Sequence, residues 1–330
     1  MKKRSLIIRF SSLGDIIQTF PSADYLLSGD REVHYLTKNA FRPLLETYGL
    51  SATIHTIPDH ASFGELIQKA RELRALSFDE VYDLHRNIRS RLVTFLLGGM
   101  YRRIKKYRFK EFILFIFRRK IYSIIWNAPL NRPAEAMRIV GGDAIVPGKR
   151  LKSLPPLPGS VLKIADKFKS GYVCIAPESI WREKEWPIAR FVDVAKSVQA
   201  LGFGIIWVGV RPLPSEAKLS GSVDLTGKTS LSEVASVLGE ARLLLTNDSG
   251  LMHLAEAAGT RVVAIFGPTS LELGFGPRLK ESRVVEAELW CRPCSKTGRW
   301  CFRPINRRKC LSEVSVAQVS AAIGTALGEL

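Results

Sequence analysis

The chain has 330 residues, of which 46% are hydrophobic and 24% charged, a composition typical of a soluble globular protein. The length predicts roughly two domains, and no apolar stretch reaches the ~20 residues of a bilayer-spanning helix, which argues against an integral membrane protein. The formal net charge of +18 indicates an anionic partner, namely a nucleic acid, a membrane surface or an acidic substrate, with a merely basic, soluble surface as the alternative.

The N-terminal residues argue against export. Met1-Lys2-Lys3-Arg4 precedes a short apolar run without a small-residue cleavage site. Because a secretory signal peptide needs such a site, we expect the protein to reside in the cytoplasm.

Strands and helices alternate in the first half of the chain. Short apolar runs predict strands at residues 6–10, 33–36 and 80–83, and a helix is expected from about Ile16, after the loop 11–15. Such alternation is typical of a parallel sheet flanked by helices.

Residues 86–120 are strongly basic and rich in aromatic and aliphatic side chains. The twelve basic residues of this segment are opposed only by Glu111. A surface that lies against anionic lipid combines apolar side chains and cations in this way, and a groove for another polyanion would do so equally.

A linker is predicted near the middle of the chain. Residues 147–160, PGKRLKSLPPLPGS, contain four prolines and two glycines. We expect two similar α/β domains, at residues 1–155 and 156–330.

The second half repeats the alternation of strands and helices. Strands are predicted at residues 172–176, 205–208, 243–246 and 262–266, and helices at 191–201 and 232–238. A further helix is predicted between the last two strands, because Leu251, Leu254, Ala255 and Ala258 form one helical stripe. Asp248 or Ser249 can cap that helix and Gly259 can end it.

A polar cluster therefore lies where a strand ends and a helix begins. The residues are Asn247-Asp248-Ser249-Gly250, followed by His253. Ligands of open α/β sheets bind at such places, and the free N–H groups of a helix N-terminus favour an anion such as phosphate.

Four of the five cysteines cluster as Cys291-x2-Cys294-x6-Cys301-x8-Cys310. Disulfides are disfavoured in the cytosol, so this cluster predicts a structural zinc or iron site, with a basic loop of reduced thiols as the alternative. Cys174 lies in an apolar strand and is expected in the core.

Several stretches, in this order, resemble glycosyltransferase family 9, the bacterial ADP-heptose:lipopolysaccharide heptosyltransferases and their relatives. They are LIIRFSSLGDIIQTFPSADYL, DLHRNIRSRL, IAPESIWREKEWPIARFVDVA, LTGKTSLSEVASVL and TNDSGLMHLAEAAGTRVVAIFGPTS. The resemblance covers nearly the full length. It implies a GT-B fold, in which two Rossmann-like domains face each other across a cleft. Residues 1–155 would bind the acceptor and 156–330 the nucleotide sugar, with the option that the C-terminal helix packs back on the first domain.

The resemblance also implies catalytic roles. An inverting sugar transfer needs a base for the acceptor hydroxyl, and Asp15 matches the family's catalytic aspartate; the alternative is a helix N-cap. Lys184 matches the lysine of the family's K-x-W-P stretch and would stabilise the leaving diphosphate, whereas an ordinary solvated lysine is the alternative.

Further residues are predicted to bind the donor. The resemblance implies contacts from Asp248, Ser249, Gly250 and His253, although a histidine packed within the domain is equally open. Ser179 can donate a hydroxyl. Asp224 is a weaker candidate for the ribose hydroxyls. Glu178 departs from the family, because many relatives carry a small residue there.

The predicted activity is transfer of a heptose, or a similar sugar, from a nucleotide diphosphate to the lipopolysaccharide inner core. Arg86, Arg89 and Arg91 are expected to bind the anionic glycolipid acceptor, with peripheral association at the inner face of the cytoplasmic membrane. No Asp-x-Asp pair is present, so no cofactor or metal is expected in catalysis. The alternatives are a protein or another glycan as acceptor, or a non-enzymatic nucleic-acid-binding protein, although no nucleic-acid motif is found.

Overall fold

The structure is a computed structural model that describes residues 2–126, 128–143 and 151–328. The described chain forms two compact units. The first comprises residues 2–106, 131–143 and 151–153, and the second comprises residues 107–126, 128–130 and 154–328.

The first unit is built on a parallel sheet of five strands in the order β3-β2-β1-β4-β5. Its elements before residue 107 are β1 (Arg4–Ile8), α1 (Leu13–Ile17), α2 (Phe20–Ser28), β2 (Glu32–Lys38), α3 (Arg42–Tyr48), β3 (Thr53–Ile57), α4 (Phe63–Arg74), β4 (Glu80–Asp83), α5 (Ile88–Leu97) and β5 (Tyr101–Arg103). The long helix α6 (Arg108–Ile125) packs in the second unit, and α7 (Arg132–Val140) returns to the first.

The central position of β1 follows from its composition. Leu6, Ile7 and Ile8 are fully buried, as a strand covered on both faces requires. Ile8 pairs with Leu36 on one side and with Asp83 on the other. The direction of the strand order reverses between β1 and β4, and in open α/β sheets this is where ligands bind, outside the carboxyl ends of the strands.

The second unit contains six parallel strands in the order β11-β10-β9-β6-β7-β8. After α6 its elements are α8 (Gly159–Lys167), β6 (Tyr172–Ala176), α9 (Ile188–Ala200), β7 (Gly204–Trp207), β8 (Val223–Asp224), α10 (Leu231–Gly239), β9 (Leu243–Asn247), α11 (Gly250–Ala258), β10 (Val262–Phe266), β11 (Arg283–Glu286), α12 (Lys309–Ser312) and α13 (Val316–Leu327). The order is that of a Rossmann sheet, and its direction reverses between β6 and β9.

The predicted strands and helices are confirmed with shifts of a few residues. The largest shifts are at the starts of two helices: α1 begins at Leu13 and not near Ile16, because Ser12 is its N-cap, and α9 begins at Ile188 and not at Phe191. The sequence prediction omitted β3, β5, β8 and β11. Of these, β5 and β8 have three and two residues and lie at sheet edges, so hydrophobic periodicity had little to detect.

The predicted linker is only partly within the described chain. Residues 147–150 lie outside it, residues 151–158 carry no helix or strand, and α8 begins at Gly159. The predicted division of the chain into domains at 155/156 stays a prediction. It assumes that each domain is continuous in sequence, whereas α6 lies in the second unit although it precedes residue 155.

The C-terminal helix α13 buries its apolar face within the second unit. The core that α13 forms with α9 and the sheet includes Val319, Ile323 and Ala326. These side chains are buried by contacts within the second unit. Among the described residues, no helix combines the length and apolar character needed to cross a bilayer.

Candidate functional site

The switch point of the first sheet brings together titratable side chains from three segments. Arg9 follows β1, Asp15 lies in α1, and His85 follows β4. The guanidinium Nη2 of Arg9 lies 2.7 Å from the carboxylate Oδ2 of Asp15. Arg9 also donates hydrogen bonds to the carbonyl oxygens of Ser11 at 2.8 Å and Leu84 at 2.5 Å, so it joins the ends of the two central strands.

Asp15 takes part in capping α1, although it is not the N-cap. The N-cap is Ser12, and Asp15 at the third helical position accepts from the Ser12 hydroxyl at 2.9 Å and from its backbone N–H at 3.3 Å. The sequence left two roles open for Asp15, a helix cap and a catalytic base. The capping contacts use only one carboxylate oxygen, Oδ2, so they are compatible with both roles. The other oxygen, Oδ1, takes no part in these capping hydrogen bonds.

Asp15 is ionised at neutral pH. Burial opposes the charge, but the Arg9 guanidinium and the hydrogen bonds from Ser12 outweigh it, and the net effect is a pKa below the ordinary value of aspartate. The positive charge of Arg132, from α7, acts in the same direction. The carboxylate is 26% exposed, so it combines ionisation with access to a ligand.

His85 is a site residue that sequence reasoning missed. Its ring centroid lies 5.3 Å from that of Phe10, and its Nδ1 is buried without a hydrogen-bond partner among the described residues. Burial and the nearby Arg9 charge lower the pKa of His85 to about 3, so the imidazole is neutral at physiological pH. A nearby signal existed, because His85 lies two positions after the predicted strand 80–83.

The three arginines predicted to bind the acceptor lie at the end of the β4–α5 connection and in α5 itself. Arg86 has a positive φ of 52° and donates to the carbonyl of Ile104 at 3.0 Å, which holds it against the chain. Arg89 and Arg91 lie in the first turns of α5, where Arg89 is half-buried and Arg91 exposed. Only Arg91 projects fully into solvent, and acceptor binding by these residues stays a prediction.

In the second unit, Lys184 and Asp248 meet at the switch point between β6 and β9. The ammonium Nζ of Lys184 lies 2.6 Å from Oδ2 of Asp248 and donates to the backbone carbonyl of Asp248 at 3.1 Å. The Thr269 hydroxyl donates to the same carboxylate at 2.6 Å. Lys184 is therefore held at the end of the sheet by an ion pair rather than being a solvated surface lysine.

The predicted anion site at α11 has the expected backbone geometry. Ser249 is the N-cap with extended backbone, and its side chain makes no capping bond to the helix. Its hydroxyl lies 3.1 Å from that of Thr246. Gly250 begins the helix, and Gly259 ends it with a φ of 92°, as predicted. The N–H groups of the first turn of α11 have no partners within the helix and point towards a potential anion.

His253 is buried within α11, and Asp224 is engaged locally. His253 is 8% exposed and interacts with neighbouring groups. Asp224 ends β8 and accepts from the Thr226 hydroxyl at 2.6 Å, while Lys228 lies 3.0 Å from its other oxygen. Although burial opposes it, these bonds lower the pKa of Asp224. Both residues lie at the carboxyl edge of the second sheet, and their donor contacts stay predictions.

Glu178 has a structural role that accounts for its departure from the family pattern. Its carboxylate accepts from the backbone N–H groups of Val210 and Arg211 and pairs with the Arg211 side chain at 3.1 Å. A Cβ at Gly209 would lie 2.8 Å from this carboxylate, so the glycine makes room for it. Glu178 thereby ties the loop after β6 to the loop after β7.

These loops border a cavity of about 340 Å³ at the carboxyl ends of β6, β7 and β8. The residues lining it include Pro177, Glu178, Glu185, Trp186, Arg211, Leu213, Thr226 and Arg308. Ser179 lies next to it, where its backbone N–H donates to Glu185 at 2.9 Å. The cavity has the size of a small-molecule site and mixes apolar walls with charged groups.

The cysteine cluster lies in the segment that follows β11. Cys291, Cys294 and Cys310 are buried and Cys301 is half-buried. The Cys294 thiol donates to the carbonyl of Cys291 at 3.5 Å, and the Arg308 N–H donates to the Cys301 sulfur at 3.4 Å. Within the described chain no three acidic, histidine or cysteine side chains converge as metal ligands would, so the predicted zinc or iron site stays a prediction.

Arg292 anchors this segment to the sheet. Its fully buried guanidinium donates to the carbonyls of Gly267, Thr269 and Ala287 at 2.5 to 2.8 Å and pairs with Glu286 at 2.7 Å. This network gives the segment a fixed attachment that involves none of its thiols.

A family model matches residues 67–300, and its description is glycosyltransferase family 9 (heptosyltransferase). The chain belongs to glycosyltransferase family 9. Membership identifies it as an enzyme that transfers sugars. The matched region contains Lys184, Asp248 and the residues lining the cavity except Arg308, whereas Asp15 lies before it.

Two curated family 9 relatives show how far the likeness extends. The lipopolysaccharide heptosyltransferase 1 of Pseudomonas aeruginosa is 23% identical over 322 residues, 89% of this chain and 86% of that protein. The lipooligosaccharide heptosyltransferase 2 of Haemophilus influenzae is 31% identical over 121 residues, and this match spans only 34% of that relative's length and 32% of this chain.

Two solved structures show the same fold. A family 9 glycosyltransferase from Veillonella parvula superposes with a TM-score of 0.73 at 22% identity, and the match covers 100% of this chain and 99% of that one. The ADP-heptose lipopolysaccharide heptosyltransferase II of E. coli gives 0.69 at 19% identity, with the same coverage. The predicted GT-B fold class with two Rossmann-like units is thereby confirmed.

Proposed function

We propose that the chain is an inverting heptosyltransferase that moves a heptose from ADP-heptose to the inner core of lipopolysaccharide. Support comes from its family and from the names of its relatives, which are heptosyltransferases of lipopolysaccharide or lipooligosaccharide. The proposed acceptor is an anionic glycolipid, which is consistent with the net charge of +18 and with a position at the cytoplasmic face of the inner membrane.

The observation that carries the proposal is the division of charge between the two switch points. The first unit presents an ionised, partly exposed carboxylate at Asp15. The second presents the ammonium of Lys184 and the N-terminus of α11. A sugar transfer from a nucleotide diphosphate needs both, since one group must take a proton and another must stabilise a phosphate leaving group.

In the proposed reaction, Asp15 accepts the proton of the acceptor hydroxyl as its oxygen attacks the anomeric carbon. The bond from that carbon to the diphosphate oxygen breaks, and the configuration inverts. Lys184, with the N–H groups of Ser249 and Gly250, stabilises the charge that develops on the diphosphate. These groups do the work that a metal ion does in other transferases, and the cavity beside Arg211 is proposed to hold the nucleoside.

Replacing Asp15 by asparagine tests the assignment. The substituted side chain keeps the size of the original and an oxygen that can accept from Ser12, so α1 should stay capped. We expect the rate of transfer from ADP-heptose to fall by about two to four orders of magnitude, whereas the affinity for ADP stays the same.

Asp30→Asn is the matched control, since Asp30 is an exposed carboxylate of the same unit whose only ion pair is with Lys2 among the described contacts. It should transfer at the wild-type rate. Full activity of Asp15→Asn would remove this residue as the base. Activity of the wild type with other nucleotide sugars, but none with ADP-heptose, would reject the proposed donor.

A further inference from the structure

The segment α6 consists of two helical parts that meet at Arg118, where the backbone is non-helical with a φ of 62°, and both parts expose large apolar side chains. Seven large apolar side chains of this helix are between 40% and 81% exposed: Phe109, Phe112, Ile116, Phe117, Ile121, Ile124 and Ile125. Phe109, Phe112 and Ile116 recur at i, i+3 and i+7, so they share one side of the helix. Single exposed apolar residues are common on protein surfaces, but a contiguous set of this size marks an interaction site.

The opposite side of α6 is fixed to the second unit. Leu114 and Tyr122 are buried in a small core with Leu273. Arg119 pairs with Glu272 at 2.9 Å and with Glu286 at 2.6 Å. These contacts hold α6 to the second unit without using the exposed apolar side chains.

The cysteine-containing segment extends this face. Trp290, Trp300, Phe302 and Ile305 are each at least 60% exposed. Arg118 of α6 joins the two parts: it donates to the carbonyl of Pro293 at 2.7 Å and lies 5.7 Å from the Phe302 ring. A cavity of about 300 Å³ is lined by Arg118 together with Trp290, Phe302 and Ile305. We call α6 and residues 290–305 together the α6 surface.

The charges around the α6 surface are almost all positive. Arg108 and Lys120 are exposed, and Lys110 lies 5.2 Å above the Trp126 ring. Three nearby acidic side chains are paired, Glu111 with Lys296 at 2.9 Å, and Glu272 and Glu286 with Arg119, whereas Glu288, two residues before Trp290, is exposed. The surface thus offers apolar side chains and unopposed cations to the same partner.

We propose that the α6 surface docks on an anionic lipid bilayer. Phenylalanine and isoleucine side chains of α6 enter the boundary between headgroups and acyl chains, tryptophans lie at headgroup depth, and the cations bind lipid phosphates. A helix that is apolar on one side and basic at its margins has the composition of an interfacial helix, whereas the core of an interface between protein copies is depleted of charge. The proposal rests on the proposed function, because a lipid-linked acceptor is expected only if the chain is a lipopolysaccharide heptosyltransferase.

Vesicle flotation with the full chain tests the proposal. The probes are vesicles of phosphatidylcholine alone and vesicles in which phosphatidylglycerol replaces part of it. We expect the wild type to bind the anionic vesicles more tightly. The double variant F112S/I116S should bind both kinds on the order of tenfold more weakly, because it removes inserted apolar area.

Two further variants separate charge from apolar insertion. R108Q/K120Q should lose affinity for the anionic vesicles only, by about fivefold for each charge removed. The control L162S/L201S removes two exposed leucines elsewhere on the second unit and should bind like the wild type. Equal losses in the control and in F112S/I116S would overturn the proposal, as would a wild type that binds neither kind of vesicle.

Sedimentation and activity measurements close the remaining alternatives. If F112S/I116S dissociates an oligomer and leaves vesicle binding unchanged, the α6 surface binds a second copy of the chain and the proposal is wrong. Transfer to a lipid-free, water-soluble acceptor should be unchanged in F112S/I116S. Vesicle binding by a wild type that transfers no heptose would leave the docking surface standing and reject the proposed function instead.

Discussion

Asp15 is held by the cation of Arg9, the residue that directly follows β1. Arg9 pairs with the carboxylate while it donates to carbonyl oxygens after both β1 and β4. The ion pair fixes the position of the carboxylate, and it also keeps the pKa of Asp15 low against the effect of burial. A general base with a lowered pKa is ionised at all physiological pH values, at some loss of proton affinity.

Arg9→Gln is predicted to shift the pH dependence of transfer. With the cation gone, burial dominates and the pKa of Asp15 rises, so the acidic limb of kcat/KM should move to higher pH. The measurement is a pH profile of kcat/KM for the donor. Arg9→Lys keeps the charge and should leave the limb near its wild-type position. An unmoved limb in Arg9→Gln would mean that Asp15 does not set it.

His85 predicts a pH dependence of stability. Its pKa is about 3 in the folded protein and about 6.5 when unfolded, so between these values only the unfolded chain takes up the proton. This residue's contribution to stability is therefore lost as the pH falls from about 6.5 to 3. His85→Gln should reduce the loss of unfolding free energy between pH 7 and pH 5 by at most about 2 kcal/mol, measured by urea denaturation. An identical loss in both proteins would contradict this account.

Only part of the site could be predicted at the residue scale. Lys184, Ser249 and Gly250 belong to continuous stretches in which a strand, a loop and a helix start are adjacent in sequence. For these residues, the neighbouring sequence alone is enough to predict a position at the end of a strand or the start of a helix. Arg9 and His85 are 76 positions apart and meet only because β1 and β4 pair in the sheet. Nothing local in the sequence indicates that pairing.

At the scale of elements, the loop that contains Gly298 supports Lys184. Gly298 has a φ of +69°, and a Cβ there would lie 2.7 Å from Cγ and 2.8 Å from Cε of Lys184. Only glycine accepts both the backbone conformation and this close approach at low cost. The segment after β11 thus lies directly against the side chain of Lys184.

Gly298→Ala is predicted to weaken donor binding. The added methyl group displaces Lys184 from the end of the sheet and strains the loop, so we expect the KM for ADP-heptose to rise on the order of tenfold, with a smaller loss of stability. Donor titrations and thermal unfolding provide the two readouts. Gly159→Ala is the matched control, because a Cβ at Gly159 meets no atom within 4 Å. A normal KM in Gly298→Ala would show that the loop does not position the lysine.

The fold was more predictable than the assignment of elements to units. Alternating apolar runs predicted the central strands, because strands buried on both faces are apolar throughout. The placement of α6 was not predictable. It depends on ion pairs of Arg119 with residues 153 and 167 positions further along the chain, and on a small core that only the folded second unit provides.

For the whole molecule, the net charge of +18 predicts binding to any polyanion at low salt. Binding to duplex DNA should fall steeply as salt rises, on the order of a thousandfold between about 50 and 200 mM if six or more phosphates are contacted. ADP carries few negative charges and its proposed site is partly buried, so the affinity of the protein for ADP should fall much less. Electrophoretic shifts and ADP titrations at both salt concentrations make the comparison. DNA binding that persists while ADP does not bind would favour a nucleic-acid-binding protein.

The assignment of α6 to the second unit has a consequence for biosynthesis. Arg119 of this helix leaves the ribosome 153 residues before Glu272, one of the two carboxylates that hold it. At ordinary rates of translation this interval lasts roughly ten to thirty seconds. During that time the apolar surface of the helix in the nascent chain has neither its core nor its ion pairs. Chaperones and the membrane itself can both cover it, so the yield of folded enzyme should depend on which of them reaches the helix first.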